Sequence, residues 1–438
     1  MSFYATLHNS FFMLFNMCEF ILFTTFMTCI LLTLLYDSLK TKIIWTGILV
    51  IVLFGCVTLS QVLSYIDFDV LVVFLSMMVL SKTLSYSKFP DYLATRIVSR
   101  VKNASTAMII ISLFTGILSI FIIDVASVLV MSSVAFTVCR RCNINPVPLL
   151  FGIILMANLG GAATMVSYPA TLVFTRLAGL KFMDYFIIDG KPGMFFAIQI
   201  SFLCSVPLLY MYYKKYDHPL LKVDPEECIS WVPVTLTAAM IVSLTVASYL
   251  LNDKQYVSSF ICSSYALTSY GWYLLNSRDR DYVEFFRGLD LHTGLFLAGI
   301  LVLVGSLGHS NLVEYAAKYF IAIFGSAPYH SFAGIIMISL VISAFILNIP
   351  YIAAMLPVTE LIAWQTASNQ TPLLFGLLLG GTVGGNITPF GASSNVVVIG
   401  LLKKKGYETR FFDFLRIGLA HAILTTIVGG AYIWFIMN

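Results

Sequence analysis

Charge is what this sequence has least of. Only 11% of its 438 residues are Asp, Glu, Lys or Arg and 59% are hydrophobic, whereas soluble chains carry about 25% charged residues. That balance excludes a soluble globular domain and implies a polytopic membrane protein. A net charge of +4 is too small to imply nucleic acid. Also missing are a phosphate-binding glycine-lysine loop, an H-E-x-x-H helix and a G-x-S-x-G elbow, which removes the usual kinase and hydrolase chemistries. No polar stretch is long enough for a nucleotide-binding domain, so an ATP-driven pump is excluded too. The eight cysteines are scattered, as expected of small buried apolar residues. Cys139 and Cys142 have C-x-x-C spacing, but no second pair or histidine cluster accompanies them, and no metal site is expected.

What is present is apolar runs long enough to span a bilayer, which takes about 20 residues. They fall at 17–36, 43–63, 70–86, 106–139, 148–175, 193–213, 230–251, 257–275, 289–307, 331–368, 372–402 and 412–437. The first holds Glu19 and reads as a retained span, not a cleaved signal peptide. Two runs, 106–139 and 331–368, are too long for one crossing. Each has a polar or turn-forming point near its middle, Asp124 and Asn348-Ile349-Pro350, and reads as a hairpin entering and leaving on one side. With the 37–42 loop cytoplasmic, most of the 25 basic residues fall on that side, among them Lys40, Lys88, Arg140, Lys214 and Lys403. This positive-inside bias supports the hairpins and places both termini outside. The stretches 87–105 and 308–330 read as interfacial amphipathic helices.

A shift of 224 positions lays the chain on itself. It superposes Asp124 on Asn348, Leu150-Phe151-Gly152 on Leu374-Phe375-Gly376, Gly160-Gly161 on Gly384-Gly385, and Thr164 on Thr388. The polar segment 214–228 then separates a first repeat, 1–213 with its N-terminal span, from a second, 229–438. An odd number of crossings in the first makes the repeats inverted. The expected fold class is an all-α polytopic membrane protein of two inverted repeats, each with a re-entrant hairpin and a broken transmembrane helix. Glycines 160, 161, 384, 385 and 391, with Pro169 and Pro389, break the helices. Backbone that leaves a helix at membrane depth survives only beside protein or a watery cavity, and such breaks hold solutes and ions in secondary transporters.

Four polar elements converge in this reading, two hairpin tips and two unwound loops. Asp124, with Ser127 nearby, is the expected ion-coupling group, since an acid at the bilayer centre is costly unless used. Asn158, Thr164, Ser167, Asn348, Asn386, Thr388, Ser393 and Asn395 are the expected substrate-binding residues, with Ser394 beside them. Their oxygens suit Na⁺ or a proton relay, and the exposed helix N-termini suit an anion or a polar solute. No cofactor is expected beyond Na⁺ or H⁺ as coupling ion. His421 reads as a packed histidine, and Asp184 and Asp413 as interfacial helix-start residues.

The stretch GGNITPFGASSNVVVIGLLKKKGYETRFFDFLRIG, from Gly384 to Gly418, resembles a signature of the ion transporter superfamily, on the branch of arsenite permeases, sodium/proton antiporters and the melanosomal P protein. SIFIIDVASVLVMSSVAF and SAFILNIPYIAAMLPVTE resemble its two hairpins, and NPVPLLFGIILMANLGGAATMVSYPATLVF its first broken helix. The resemblance implies secondary active transport of a small inorganic solute across the cell membrane, arsenite-like, by an elevator-like movement, often in a homodimer. Sodium/proton antiport and dicarboxylate or citrate symport are the alternatives it leaves. Antiporter-like members carry L-D-N at the hairpin tips. Here Ile123 and Leu347 replace the acids, and Asp124 and Asn348 stand at the amide positions. The family's G-D-P-P-N becomes Ser167-Tyr168-Pro169-Ala170-Thr171.

Overall fold

The computed structural model describes residues 17–219, 226–250, 256–277, 282–308 and 311–438. Residues 1–16 and the middle of the 214–228 linker, 220–225, lie outside that set. The described chain is helical apart from one antiparallel pair, Ile187–Ile188 with Lys191–Pro192. Asp189 and Gly190 both take positive φ there, 52° and 75°, as a two-residue hairpin turn requires. Six described helices are long and apolar enough to cross a bilayer, from Met17–Leu35 to Phe411–Met437. Glu19 in the first is held by Asn311, whose backbone N–H and Nδ2 donate to its carboxylate at 3.2 and 2.8 Å.

Both long runs turn back at their middles. Ala104–Ser119 leads through 120–123 into Asp124–Cys142, and Pro328–Ser343 leads through 344–347 into Asn348–Gln365. Both glycine-rich runs are broken. Val147–Gly161 and Pro169–Leu177 flank 162–168, and Gln370–Gly384 and Ser393–Lys404 flank 385–392. The expected amphipathic helices are present at Phe89–Val98 and Leu312–Phe324. The run 43–63 is not one span. Lys40–Leu53 ends at Phe54, Gly55 turns with φ +72°, and Leu59–Tyr65 starts afresh. Thr58 and Gln61 form a capping box there, which satisfies a new helix start and competes with continuation.

The 224-residue offset reappears in the packing. Thr164 Oγ1 donates to the Ile120 carbonyl at 2.7 Å, and Thr388 Oγ1 donates to that of Ala344. Thr171 Oγ1 reaches the Gly161 carbonyl at 3.1 Å, and Asn395 Nδ2 reaches that of Gly385 at 2.8 Å. Ser201 Oγ donates to the carbonyl of Thr425, a residue 224 positions on. The first hairpin limbs lie against the broken helices on glycine. A Cβ on Gly160 would overlap the Gly116 carbonyl oxygen, and one on Gly384 would sit 2.7 Å from that of Leu340. Close backbone approach of this kind is how helices associate without a hydrophobic drive.

Candidate functional site

Each of the four breaks is followed by a fresh helix, and the first residues of those helices are Asp124, Pro169, Asn348 and Ser393. All four line one cavity of about 340 Å³. Four helix N-termini therefore meet in one space, each the positive end of a helix dipole. The helices Phe68–Tyr86 and Leu291–Leu307 supply further wall, through Ser81, Lys82 and Thr293 among others. Ser81 Oγ accepts from Ile123 N at 3.3 Å and so pins the first hairpin tip to that wall. Lys82 donates to the Phe285 carbonyl and lies 4.7 Å above the Phe285 ring.

Asp124 is 1% exposed. Its backbone N–H donates to the Ser167 carbonyl at 3.2 Å, but among the described residues neither carboxyl oxygen has a hydrogen-bond partner. The Ser394 hydroxyl and the Val125 N–H are near enough to act on it electrostatically without completing that geometry. A buried carboxylate left this way is strongly disfavoured, and binding a proton or cation relieves it.

The expected substrate-binding residues divide. Asn348 and Ser393 line the cavity with Asp124. Asn158, Asn386 and Asn395 do not line it, and Asn158 bonds both of the others. Asn158 Nδ2 donates to Asn386 Oδ1 and to Asn395 Oδ1, both at 2.8 Å, and its Oδ1 accepts from Ser394 Oγ at 2.6 Å. Asn395 Nδ2 closes the second unwound loop onto the carbonyls of Gly385 and Thr388 at 2.8 and 2.9 Å. Asn386 Nδ2 continues to the Leu155 carbonyl at 3.1 Å and to His421 Nδ1 at 3.4 Å, and His421 Nε2 lies 3.2 Å from Ser205 Oγ. These groups join the broken helices of the two halves.

Thr164 and Thr388 tie each unwound loop to its hairpin tip. Ser167 Oγ donates to the carbonyls of Gly161 and Thr164, both at 3.0 Å. Ser127 bonds the carbonyl of Ile123, one turn back on its own helix, at 3.4 Å. None of these four lines the cavity. Sequence reasoning passes over Tyr168, which lines the cavity and whose hydroxyl lies 2.8 Å from the Asn348 amide. Its signal is present only as a departure from a family motif. Thr171 is missed as well, although the 224-residue offset pairs it with Asn395.

Paired hairpins and broken helices around one cavity within an apolar helical body are the arrangement of a polytopic membrane transporter. The citrate transporter family CitMHS matches residues 20–270 and 228–438, and the chain belongs to that family. It is a secondary transporter that acts on small solutes. Among curated relatives, the uncharacterized transporter Rv2685 of Mycobacterium tuberculosis is 29% identical over 84% of this chain and 86% of its own. The 46 kDa membrane protein of Mycobacterium leprae is 26% identical over 90% and 93%. The P protein of Mus musculus is 25% identical over 86% of this chain but only 54% of its own length. Two solved structures share the fold. The YdaH transporter of Alcanivorax borkumensis has a TM-score of 0.57 at 12% identity, covering 95% of this chain and 98% of that one. MtrF of Neisseria gonorrhoeae has a TM-score of 0.54 at 14% identity, covering 89% and 84%.

Proposed function

We propose that this chain moves a small inorganic anion or metalloid, arsenite-like, across the cell membrane, driven by a proton or sodium gradient bound at Asp124. The observation that carries the reading is the convergence on a single cavity of four helix N-termini and one carboxyl group that has no hydrogen-bond partner among the described residues. For an anionic substrate, the dipole ends attract it and a charged Asp124 repels it. Two unit charges about 5 Å apart at an effective dielectric near 20 repel by about 3 kcal/mol, which is about two orders of magnitude in affinity. A proton or Na⁺ on Asp124 removes that repulsion. Substrate and ion then load together, which is the condition for coupling.

The two hairpins and broken helices would move as one body past the remaining spans, elevator fashion, as inverted repeats permit. We place both termini outside and allow a homodimer. An organic carboxylate such as citrate is the second reading, favoured by the name of the family and by Lys40 and Lys82 on the cavity wall.

The test is flux into proteoliposomes of arsenite, sulfate and citrate under imposed proton or sodium gradients. Accumulation above equilibrium that depends on the gradient, and that Asp124→Asn abolishes, is expected for one of the three. Coupled flux unchanged in Asp124→Asn would remove the carboxyl from its role. Flux that never exceeds equilibrium would make the protein a passive channel.

A further inference from the structure

We propose that Arg176 is a positioning residue for transport, which locks the body of hairpins and broken helices to the remaining spans at the end remote from Lys40 and so favours the state seen here. The proposal rests on the two-body movement of the preceding reading. Arg176 lies in the last turn of the half-helix Pro169–Leu177, about 10 Å along it from Pro169 at the cavity. Its Nε donates to Asp67 Oδ2, and its Nη2 lies 3.7 Å from Asp69 Oδ2. Arg176 belongs to the body, and both acids to the start of the scaffold helix Phe68–Tyr86.

The acids are fixed in place. Asp67 caps its helix, its Oδ1 accepting from the N–H groups of Asp69 and Val70 at 3.0 and 3.2 Å, which leaves Oδ2 for the guanidinium. Asp69 Oδ1 accepts from Ser259 Oγ at 2.5 Å, on the scaffold helix Val257–Asn276. The dipoles reinforce the pair, since a helix C-terminus favours a cation and a helix N-terminus favours anions. A body that slides past Phe68–Tyr86 has to break it.

The same scaffold helix separates the two ends of the molecule. Asp69 and Lys82 both lie on it, about 20 Å apart along its axis. Lys82, Lys40 and Asp290 line the cavity that holds Asp124. At the other end Arg176 and Asp69 form a wall common to two further cavities, of about 460 and 470 Å³, and neither reaches Asp124.

The second half has the same frame without the lock. Its helix Leu291–Leu307 also starts on a capping aspartate, Asp290, which accepts from Thr293 N at 3.1 Å. Asp290 stands 223 positions after Asp67, within one residue of the repeat offset. The position 224 residues after Arg176 is Gly400, where an added Cβ would meet nothing within 4 Å. One capping acid is therefore bridged by a cation from its half-helix, while the other faces the cavity of Asp124. A lock at one end with no equivalent at the other favours one of the two states.

The experiment needs no identified substrate. Spin labels are carried as non-canonical residues at Lys404, on the second half-helix, and at Leu275, on the scaffold, both exposed. The eight native cysteines then stay in place. Pulsed electron–electron resonance on the full chain in lipid nanodiscs counts the two states by distance. The side chains are 37% exposed for Arg176 and 22% and 15% for Asp67 and Asp69, so the pair is weak and its loss is expected to change the ratio of states about three- to tenfold. Arg176→Gln and Asp67→Asn, which keeps the cap, are each expected to raise the second state by that factor, and Arg176→Lys by less. NaCl at about 1 M, which screens charges beyond about 3 Å, is expected to raise it in the native chain but not in Arg176→Gln. A rise in Arg176→Gln that neither Asp67→Asn nor salt reproduces assigns the effect to packing and overturns the proposal. A single distance in every variant and at both salt concentrations overturns the two-body movement and this proposal together. Two distances whose weights are the same in the native chain and in Arg176→Gln overturn this proposal alone.

Discussion

Replacing Asn158 with alanine separates two roles that the residue could otherwise share, substrate ligand and clamp. In the structure its amide is spent on three bonds, two donated to Asn386 and Asn395 and one accepted from Ser394. All four residues are at most 2% exposed, so the cluster is cut off from bulk water. Asn395 keeps part of its satisfaction, since Ser394 Oγ also lies 3.5 Å from its Oδ1. The Asn386 oxygen loses its partner, and the Ser394 proton keeps only that 3.5 Å contact. Leaving a buried polar group unpaired costs about 1–3 kcal/mol, while side-chain bonds between membrane helices average about 0.6 kcal/mol, because the unfolded segment also finds partners in the bilayer. Three bonds at the lower value set a floor of about 2 kcal/mol, and one orphan at the top of the higher range with the weakened Ser394 bond sets a ceiling of about 4 kcal/mol. SDS-induced unfolding in mixed micelles, fitted with the native slope, measures it. A ligand role predicts the reverse pattern, flux abolished with stability intact. Unfolding within about 0.5 kcal/mol of the native chain, the scale of a neutral surface change, would refute the clamp and return Asn158 to the substrate.

The glycine contacts make a paired prediction. Gly160→Ala drives a methyl group into the Gly116 carbonyl, and overpacking of this sort costs about 1–3 kcal/mol or more. Gly271→Ala, mid-helix where an added methyl would meet nothing within 4 Å, is expected to gain up to about 1 kcal/mol from helix propensity; the same micelle titration reads both. On the amphipathic helix Phe89–Val98, burial lifts Asp91 above the ordinary carboxylate range and the Glu226 carboxylate adds to it, with the Ser133 hydroxyl opposing. A folded carboxyl that holds its proton longer than the unfolded one loses stability as pH rises through that window. Asp91→Asn is therefore expected to raise the melting temperature at neutral pH and to leave it unchanged near pH 3, below the unfolded carboxyl range; an equal gain at both would assign the effect to packing.

The architecture was legible where the chain states a rule twice. Gly160 and Gly384 each admit a neighbouring backbone, and Thr164 and Thr388 each fasten a loop to a tip across 44 residues. Such positions repeat because the local geometry repeats. The interruption at 54–58 was not legible, since Phe54, Cys56 and Val57 keep the run apolar while Gly55 and Thr58 end one helix and start another. The interior of the site was hidden for a different reason. Asn158 finds its partners 228 and 237 residues away, and the residue 224 positions on is Thr382, which bonds its own helix at Leu378. The cluster is therefore built from what the halves do not share.

That asymmetry bears on how such a molecule moves. Two repeats with identical hydrogen bonding at their junction would rest equally well in either of two related arrangements. Here the clamp belongs to Asn158, Asn386, Asn395 and Ser394, and the cross-reaching phenol to Tyr168 alone. None of those bonds has a counterpart under the 224-residue shift. The symmetric contacts, at the threonines and glycines, lie within each half and can travel with it unchanged. The unique ones join the two halves to each other. A body that carries both hairpins and both broken helices as one piece keeps all of them, whereas a motion that parted the halves would break the asparagine cluster at about 2–4 kcal/mol by the same reckoning as above. The proposed elevator-like movement is the one that would keep every bond of the asparagine cluster and the Tyr168 contact.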